Sequence, residues 1–123
     1  MKDLTKIITG KEGEKIAASF LKKNGYHIIE TNFRCVLGEI DIVARENGEL
    51  VFIEVKTRKS EALGYPEQAV GIKKQTKISR LALFYLQEKK LIGARARFDV
   101  VAITMSASEN EIRLIKNAFD FIA

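Results

Sequence analysis

The chain shows two hydrophobic periods, which predict helices and strands in turn. Apolar residues at helical spacing, with the capping-box spacing of Thr9 and Glu12, predict a first helix that runs to about Lys23. Asn47-Gly48 joins two stretches of strand-like alternation and predicts a tight hairpin. The later elements are predicted as strands at 26–34, 38–45 and 49–58, a helix to about residue 90, and strands at 98–104 and 111–116.

The predicted order is helix, three strands, helix, strand, strand. A long helix between two apolar strands indicates a crossover and therefore parallel pairing at the sheet centre. We thus expect an α/β fold, a mixed β-sheet flanked by helices. The length of 123 residues suits a single domain over 1–123, with residues 1–9 loosely held.

Composition excludes some classes of protein. The chain is 46% hydrophobic and 30% charged, and no apolar run approaches the roughly 18 residues that suggest a membrane span. Because its start lacks an apolar signal core, we expect a cytoplasmic protein without a membrane partner. The single cysteine, Cys35, lacks a partner for an internal disulfide and a marked activating base, so we interpret it as structural. The net charge of +5 favours a nucleic-acid partner only modestly, since many proteins carry such a surplus for solubility.

The hairpin predicts a site that carries chemistry. If its turn has two residues, Asp41 lies opposite Glu54, and Glu39 lies opposite Lys56. All four side chains then project from one face, because side chains alternate along a strand. Directly opposed β-carbons lie about 4.5–5.5 Å apart, so the Asp41 and Glu54 carboxylates can converge on one ion.

The alternative is a solvated strand face that bears a Glu39–Lys56 ion pair. The same face is apolar nearer the turn, and two acids in a partly buried site repel each other unless a proton or cation lies between them. The pattern therefore favours a metal or catalytic site over a solvated face. Glu14 lies in the apolar stripe of the first helix, either as its polar rim or as a third carboxylate that reaches the site.

Several motifs resemble a known superfamily. Glu14, Gly38-Glu39-Ile40-Asp41 and Ile53-Glu54-Val55-Lys56 resemble the motif set of the PD-(D/E)xK nucleases, and the helix-then-hairpin order resembles archaeal Holliday-junction resolvases. The residue before Asp41 is Ile40 rather than proline, a departure that many members share. A longer set of motifs is similar to the YraN-like family of small bacterial proteins: Gly13-Glu14, Gly38 to Asp41, Phe52 to Arg58, Lys74-Gln75 and Arg97 to Val101.

The resemblance implies a restriction-endonuclease-like fold and a role for each site residue. Asp41 and Glu54 would ligate Mg²⁺ or Mn²⁺, with the backbone carbonyl of Val55 as a further ligand. Glu14 would act through the water shell of the metal. Lys56 would orient the attacking water and stabilise charge on the phosphate. These roles agree with the preference of Mg²⁺ for oxygen ligands and with its effect on the pKa of bound water.

Gln75, Asp99 and several basic residues are further candidates outside this set. Gln75 matches a position that faces the site in relatives, but it is equally compatible with an exposed helix residue. Asp99 either supports the site or has a structural role at a strand edge. Basic residues that would ring the acids and grip a nucleic-acid backbone are Arg58, Lys59, Lys73, Lys74 and Lys77.

The sequence thus predicts a metal-dependent endonuclease that acts on branched or structured nucleic acid, DNA rather than RNA. One rival is a binding module that keeps the fold but has little turnover, and another is a scaffold that contacts proteins only. The intact acidic set favours the enzyme, because binding alone does not need adjacent carboxylates beside phosphate. Since resolvase-like relatives act on two-fold substrates, a homodimer is also expected.

Overall fold

The computed structural model describes residues 4–59, 70–106 and 109–123. Helix α1 begins at Leu4, and helix α2 crosses between the third and fourth strands of the sheet. The elements in chain order are α1 (Leu4–Lys23), β1 (His27–Cys35), β2 (Gly38–Glu46), β3 (Glu49–Lys59), α2 (Ile72–Glu88), β4 (Ala96–Met105) and β5 (Asn110–Phe119).

The five strands form one mixed sheet in the order β1-β2-β3-β4-β5. Strands β3 and β4 are parallel, and the other neighbours are antiparallel. Helix α2 makes the crossover that parallel neighbours require. The predicted fold class, element order and parallel centre are therefore confirmed.

The hairpin between β2 and β3 sets the register that the site depends on. Asn47 and Gly48 both have positive φ, 53° and 78°, as the two central residues of a type I′ hairpin turn require. The pairing extends from Glu46–Glu49 at the turn to Ile42–Ile53, in the predicted register.

Helix α1 differs from the prediction at its start and agrees at its end. It begins at Leu4, so Thr9 and Glu12 lie inside the helix and the predicted capping box is wrong. The sequence before Thr9 is compatible with a helix. Each residue by which the helix extends beyond Thr9 adds one backbone hydrogen bond, which a helix that began at Thr9 would not form. At the other end Gly25 adopts a φ of +90°, beyond the last helical residue, Lys23, as predicted.

The two helices cover opposite faces of the sheet, each over its own core. Among the described residues, the core on the α2 face contains Phe33, Ile40, Val43, Leu50, Phe52, Ile78, Leu81, Ala82, Tyr85 and Phe98. The core on the α1 face contains Ala17, Leu21, Tyr26, Ile42, Ala44, Val51, Ile53, Val101 and Ile103. Cys35 packs against the first core, which agrees with its structural interpretation. Neither described helix is long and apolar enough to cross a membrane.

A close approach between α1 and β3 places the first site residue. Gly13 is buried, and a β-carbon at that position would lie 2.1 Å from Oγ1 of Thr57. Only a residue without a side chain lets the helix come this near to the strand. The next residue is Glu14, which is thereby held over the sheet.

Candidate metal centre

The site lies where β2 and β3 stop pairing. Their ladder ends at Ile42–Ile53, although β2 starts earlier, at Gly38, and β3 continues to Lys59. One step beyond the last pair, Oδ2 of Asp41 accepts a hydrogen bond of 2.8 Å from the backbone N–H of Val55. The Asp41 side chain thus bridges the two strands at the point where the backbone ladder ends.

Three carboxylates meet at this point. Oxygen atoms of Glu14, Glu39 and Asp41 all lie within 4.8 Å of one another, and all three residues are partly buried. Glu14 comes from α1, whereas Glu39 and Asp41 are alternate residues of β2. Oxygen ligands lie about 2.0–2.6 Å from Mg²⁺ or Ca²⁺, so oxygens at this separation can share one such ion. We call these three residues the acidic cluster.

Asn32 connects two members of the acidic cluster. Its side-chain amide donates to Oε1 of Glu14 at 2.9 Å and to Oε1 of Glu39 at 2.8 Å. Asn32 has a φ of 53° within β1, a left-handed conformation that Asn tolerates better than most residues. A second donor, Nε of Arg34, lies 2.8 Å from Oε2 of Glu39.

The electrostatics of Asp41 reflect this crowding. Burial, and then the negative charge of Glu54, raise the pKa of Asp41 to about 7. The charges of Glu14 and Glu39 add to the rise, and the hydrogen bond from Val55 opposes it. Near neutral pH this carboxyl group therefore favours a proton or a cation beside it.

Glu54 is close to this cluster but has different partners. It is only 8% exposed, and its Oε1 lies 3.2 Å from Nζ of Lys74 and 3.6 Å from Nζ of Lys56. Within the described chain, the group of oxygens that lie within 4.8 Å of one another comprises the acidic cluster and leaves Glu54 outside it. The structure therefore brings Glu54, Lys56 and Lys74 together beside Asp41.

The Glu39–Lys56 ion pair of the solvated-face alternative is absent from the described ion pairs. Glu39 pairs with Arg34, and Lys56 pairs with Glu54. Sequence reasoning placed Glu39 across from Lys56 and did not assign it to the site. Its position two residues before Asp41, on the same strand face, was the available signal.

Other predicted residues lie around this site in different ways. The Gln75 side chain donates to the backbone carbonyl of Val70 at 2.9 Å, near the start of α2. Val55 contacts Asp41 through its N–H. Lys73 and Lys77 are exposed on α2, and Arg58 is half-buried on β3. Lys59 ends β3, and its side chain lies outside the described part of the chain.

Asp99 belongs to a separate polar network. It is fully buried and accepts hydrogen bonds from the Tyr26 hydroxyl at 2.7 Å and the Asn117 backbone N–H at 2.9 Å. Arg97 donates to Asp99 at 3.0 Å and also to Glu46 at 2.7 Å, so the network ties β4 to the β2–β3 hairpin. Burial and the Asp99 carboxylate raise the pKa of the Tyr26 hydroxyl. These contacts favour the structural interpretation of Asp99.

Similarity to solved structures is distant. One such structure is SfsA of Pyrococcus furiosus in complex with Ca²⁺, with a TM-score of 0.38 and 16% sequence identity. The match covers 90% of this chain and 63% of the other, so this chain spans less than two thirds of its neighbour.

Several proteins are much more similar to this chain in sequence. A UPF0102 protein of Syntrophus aciditrophicus is 52% identical over 91% of this chain and 88% of its own. A UPF0102 protein of Lachnoclostridium phytofermentans is 49% identical over 95% of this chain and 97% of its own, and one of Geotalea daltonii is 53% identical over 90% and 88%. The sequence model of Uncharacterised protein family UPF0102 matches residues 13–103, which include every residue of the acidic cluster. The predicted membership of the YraN-like family is thereby confirmed, and the chain belongs to UPF0102.

Proposed function

We propose that this protein is a nuclease that hydrolyses phosphodiester bonds in DNA with a divalent cation, Mg²⁺ or Mn²⁺, held by the acidic cluster. The observation that carries the proposal is the meeting of three carboxylates within 4.8 Å. A lysine-bearing group, formed by Glu54, Lys56 and Lys74, lies beside them. An acid cluster flanked by ammonium groups suits a phosphate that needs positive charge on more than one side.

The residues present suit a hard divalent cation. Carboxylate oxygens are the ligands that Mg²⁺ prefers, and the raised pKa of Asp41 indicates that its ionised form lacks sufficient compensation from the protein alone. When bound, the cation supplies positive charge to the phosphate and lowers the pKa of a coordinated water.

The protein contributes positioning and electrostatics. Asp41, fixed by the Val55 N–H, and Glu14 and Glu39, fixed by Asn32, hold the cation. The Lys56 ammonium, 3.6 Å from Oε1 of Glu54, would orient water and stabilise negative charge that develops on the phosphate.

Glu54 interacts both with the two lysines and with the acidic cluster. Its contacts hold Lys56 and Lys74 within 3.6 Å of one carboxylate oxygen, and its charge acts on Asp41. An arriving phosphate would compete with Glu54 for the two ammonium groups. The sequence motif implies that the Glu54 carboxylate would also help to hold the cation.

A cleavage screen tests this function. Labelled single-stranded, duplex, flapped and four-way DNA, and a structured RNA, would be incubated with Mg²⁺ or Mn²⁺ and with wild type or Asp41→Asn. We expect metal-dependent cleavage of branched DNA by the wild type and none by Asp41→Asn. Glu88→Gln, which neutralises an acid at the far end of α2, is the matched control and should cleave normally. Tight binding without cleavage of any substrate would instead establish a binding module.

A further inference from the structure

A groove next to the acidic cluster combines positive charge with exposed apolar surface. It encloses about 430 Å³ between the β1–β2 turn and the first half of α2. Its lining comprises Leu37, Ile72, Lys73, Thr76, Lys77 and Arg80. We call this feature the basic groove.

The basic groove adjoins the lysine-bearing group of the site, because both use the first half of α2. Leu37 is separated from Glu39 of the acidic cluster by Gly38 alone. A β-carbon on Gly38 would lie 3.0 Å from Cε of Lys77, so this lysine crosses directly over the start of β2. On the same helix, Lys74 contacts Glu54 at 3.2 Å. A chain bound in the groove would therefore pass close to Lys74 and its partner Glu54.

Both apolar residues of the groove lining are exposed: Ile72 is 70% exposed and Leu37 is 43% exposed. Val36, which precedes Leu37 in the β1–β2 turn, is 92% exposed. Contacts with a phosphate backbone need only the cationic side chains and give no reason for apolar ones. The combination matches a nucleotide that presents its base face as well as its phosphate, and base faces are accessible only where the base is unpaired.

The charge of the groove argues against a second copy of this chain as the occupant. In a two-fold dimer the same patch would face itself, which would bring Lys73, Lys77 and Arg80 near their own copies. An anionic occupant compensates the three cations, and a symmetric copy does not.

We propose that the basic groove binds an unpaired nucleotide next to the scissile phosphate, so that the protein selects DNA at junctions between duplex and single strand. This inference rests on the proposed function and specifies its substrate class. Lys73, Lys77 and Arg80 contact the backbone of the unpaired strand, and Leu37 and Ile72 contact its base.

Binding without cleavage tests the groove. Fluorescence anisotropy would compare a labelled duplex that carries a single-stranded flap with the blunt duplex of the same sequence, in the presence of a chelator. We expect the wild type to bind the flapped DNA roughly tenfold more tightly, the low end of the effect of a base stacked on an aromatic ring, because Leu37 and Ile72 are aliphatic. The double variant Leu37→Ser/Ile72→Ser should lose this preference and keep the affinity for the blunt duplex.

Two control variants separate groove effects from general ones. Ile92→Ser removes another exposed apolar side chain, beyond α2, and should leave the preference unchanged. Lys22→Ala/Lys23→Ala removes two charges at the end of α1, whereas Lys77→Ala/Arg80→Ala removes two from the groove and should weaken the flapped complex much more.

Equal binding of the two probes by the wild type would overturn the inference, and so would a preference that survives Leu37→Ser/Ile72→Ser. Either result leaves cleavage at the metal centre intact as a separate question. Conversely, a preserved preference in a protein that cleaves no substrate would overturn the proposed function and support the groove. Binding of neither probe at low salt would also overturn the inference.

Discussion

Single residues have distinct roles in the proposed chemistry. The acidic cluster would bind the cation, and Lys56 would stabilise charge on the phosphate. Lys56 contacts Glu54 and lies outside the group of oxygens that would hold the cation. Loss of a ligand and loss of the ammonium group therefore have separable consequences.

Replacement of Lys56 by methionine should separate metal binding from catalysis. Mn²⁺ affinity should stay the same or rise slightly, because the variant removes a positive charge near the cation. The single-turnover cleavage rate should fall by about 10²–10³, the usual effect of losing one group that stabilises transition-state charge. Calorimetry with Mn²⁺ and single-turnover cleavage measure the two quantities. Lys22→Met is the matched control, and cleavage by Lys56→Met at the wild-type rate would refute this role.

Asp41 should make the stability of the metal-free protein depend on pH. Its pKa is raised to about 7 in the folded state, whereas an unfolded Asp titrates near 4. The folded state then binds the proton more tightly, so this group's contribution is fully present below about pH 4 and is lost as pH rises toward 7.

Urea unfolding in a chelator measures this effect. Between pH 5 and pH 8 the wild type should lose stability relative to Asp41→Asn, whose amide oxygen can still accept the hydrogen bond from Val55. Added Mg²⁺ should restore part of the wild-type stability at pH 8. Parallel pH curves for the two proteins would contradict the assigned burial and crowding of Asp41.

Residues of the candidate site differ in how far the sequence predicts them. Asp41 and Glu54 follow from turn chemistry and strand alternation, because these fix which residues come near each other. Asn32 was not predicted, since a single left-handed residue inside a strand has no periodic signature. The recruitment of Glu39 depends on that conformation, because the Asn32 amide links it to Glu14.

Packing between elements positions Glu14. Helix α1 and strand β3 approach each other closely at Gly13 and Thr57, next to Glu14. Gly13→Ala would put a β-carbon 2.1 Å from Oγ1 of Thr57. The crowded atoms all belong to the Thr57 side chain, so this side chain and the helix must move apart. That change should reduce the free energy of unfolding by about 1–3 kcal/mol and move Glu14 away from the cluster.

Thermal or urea unfolding and Mn²⁺ calorimetry should therefore both detect Gly13→Ala. Thr57→Ala removes the closest atom, so the double variant should recover part of both losses. Gly10→Ala is the control, since a β-carbon at Gly10 meets no atom within 4 Å. Normal stability and normal metal binding in Gly13→Ala would contradict the close approach.

The elements themselves were mostly predictable because strong local signals agreed with the fold. Asn47-Gly48 favours one turn type, and the long helix before an apolar strand favours a parallel crossover. The start of α1 was not predictable from Thr9 and Glu12, because their capping-box spacing is equally compatible with the interior of a longer helix. The spacing of two residues suggests where a helix can begin, but the hydrogen bonds gained by extending the helix determine where it does begin.

Charge is unevenly arranged at the scale of the whole molecule. The net charge is +5, yet the acidic cluster concentrates three carboxylates at one point with basic residues of α2 nearby. Under the proposed function, such an arrangement would attract phosphate backbones over long range and leave a local position for a cation.

DNA binding should weaken steeply as salt rises, because phosphate contacts release counterions. Each contact contributes about 0.7–0.9 to the slope of log affinity against log salt, so Lys77→Ala/Arg80→Ala should lower the slope by roughly 1.4–1.8. The loss should be similar for different DNA sequences, since phosphate contacts carry no base identity. Salt-independent binding would show that these residues do not grip the backbone.

The proposed function requires the acidic cluster to hold the divalent cation for phosphodiester hydrolysis. Single-turnover cleavage of a flapped DNA, measured across a titration of Mg²⁺, tests this requirement. We expect a wild-type rate that rises from zero in chelator to a plateau, no cleavage by Asp41→Asn at any Mg²⁺ concentration, and a wild-type curve for Glu88→Gln. Cleavage that persists in chelator, or an Asp41→Asn curve that matches the wild type, would contradict it.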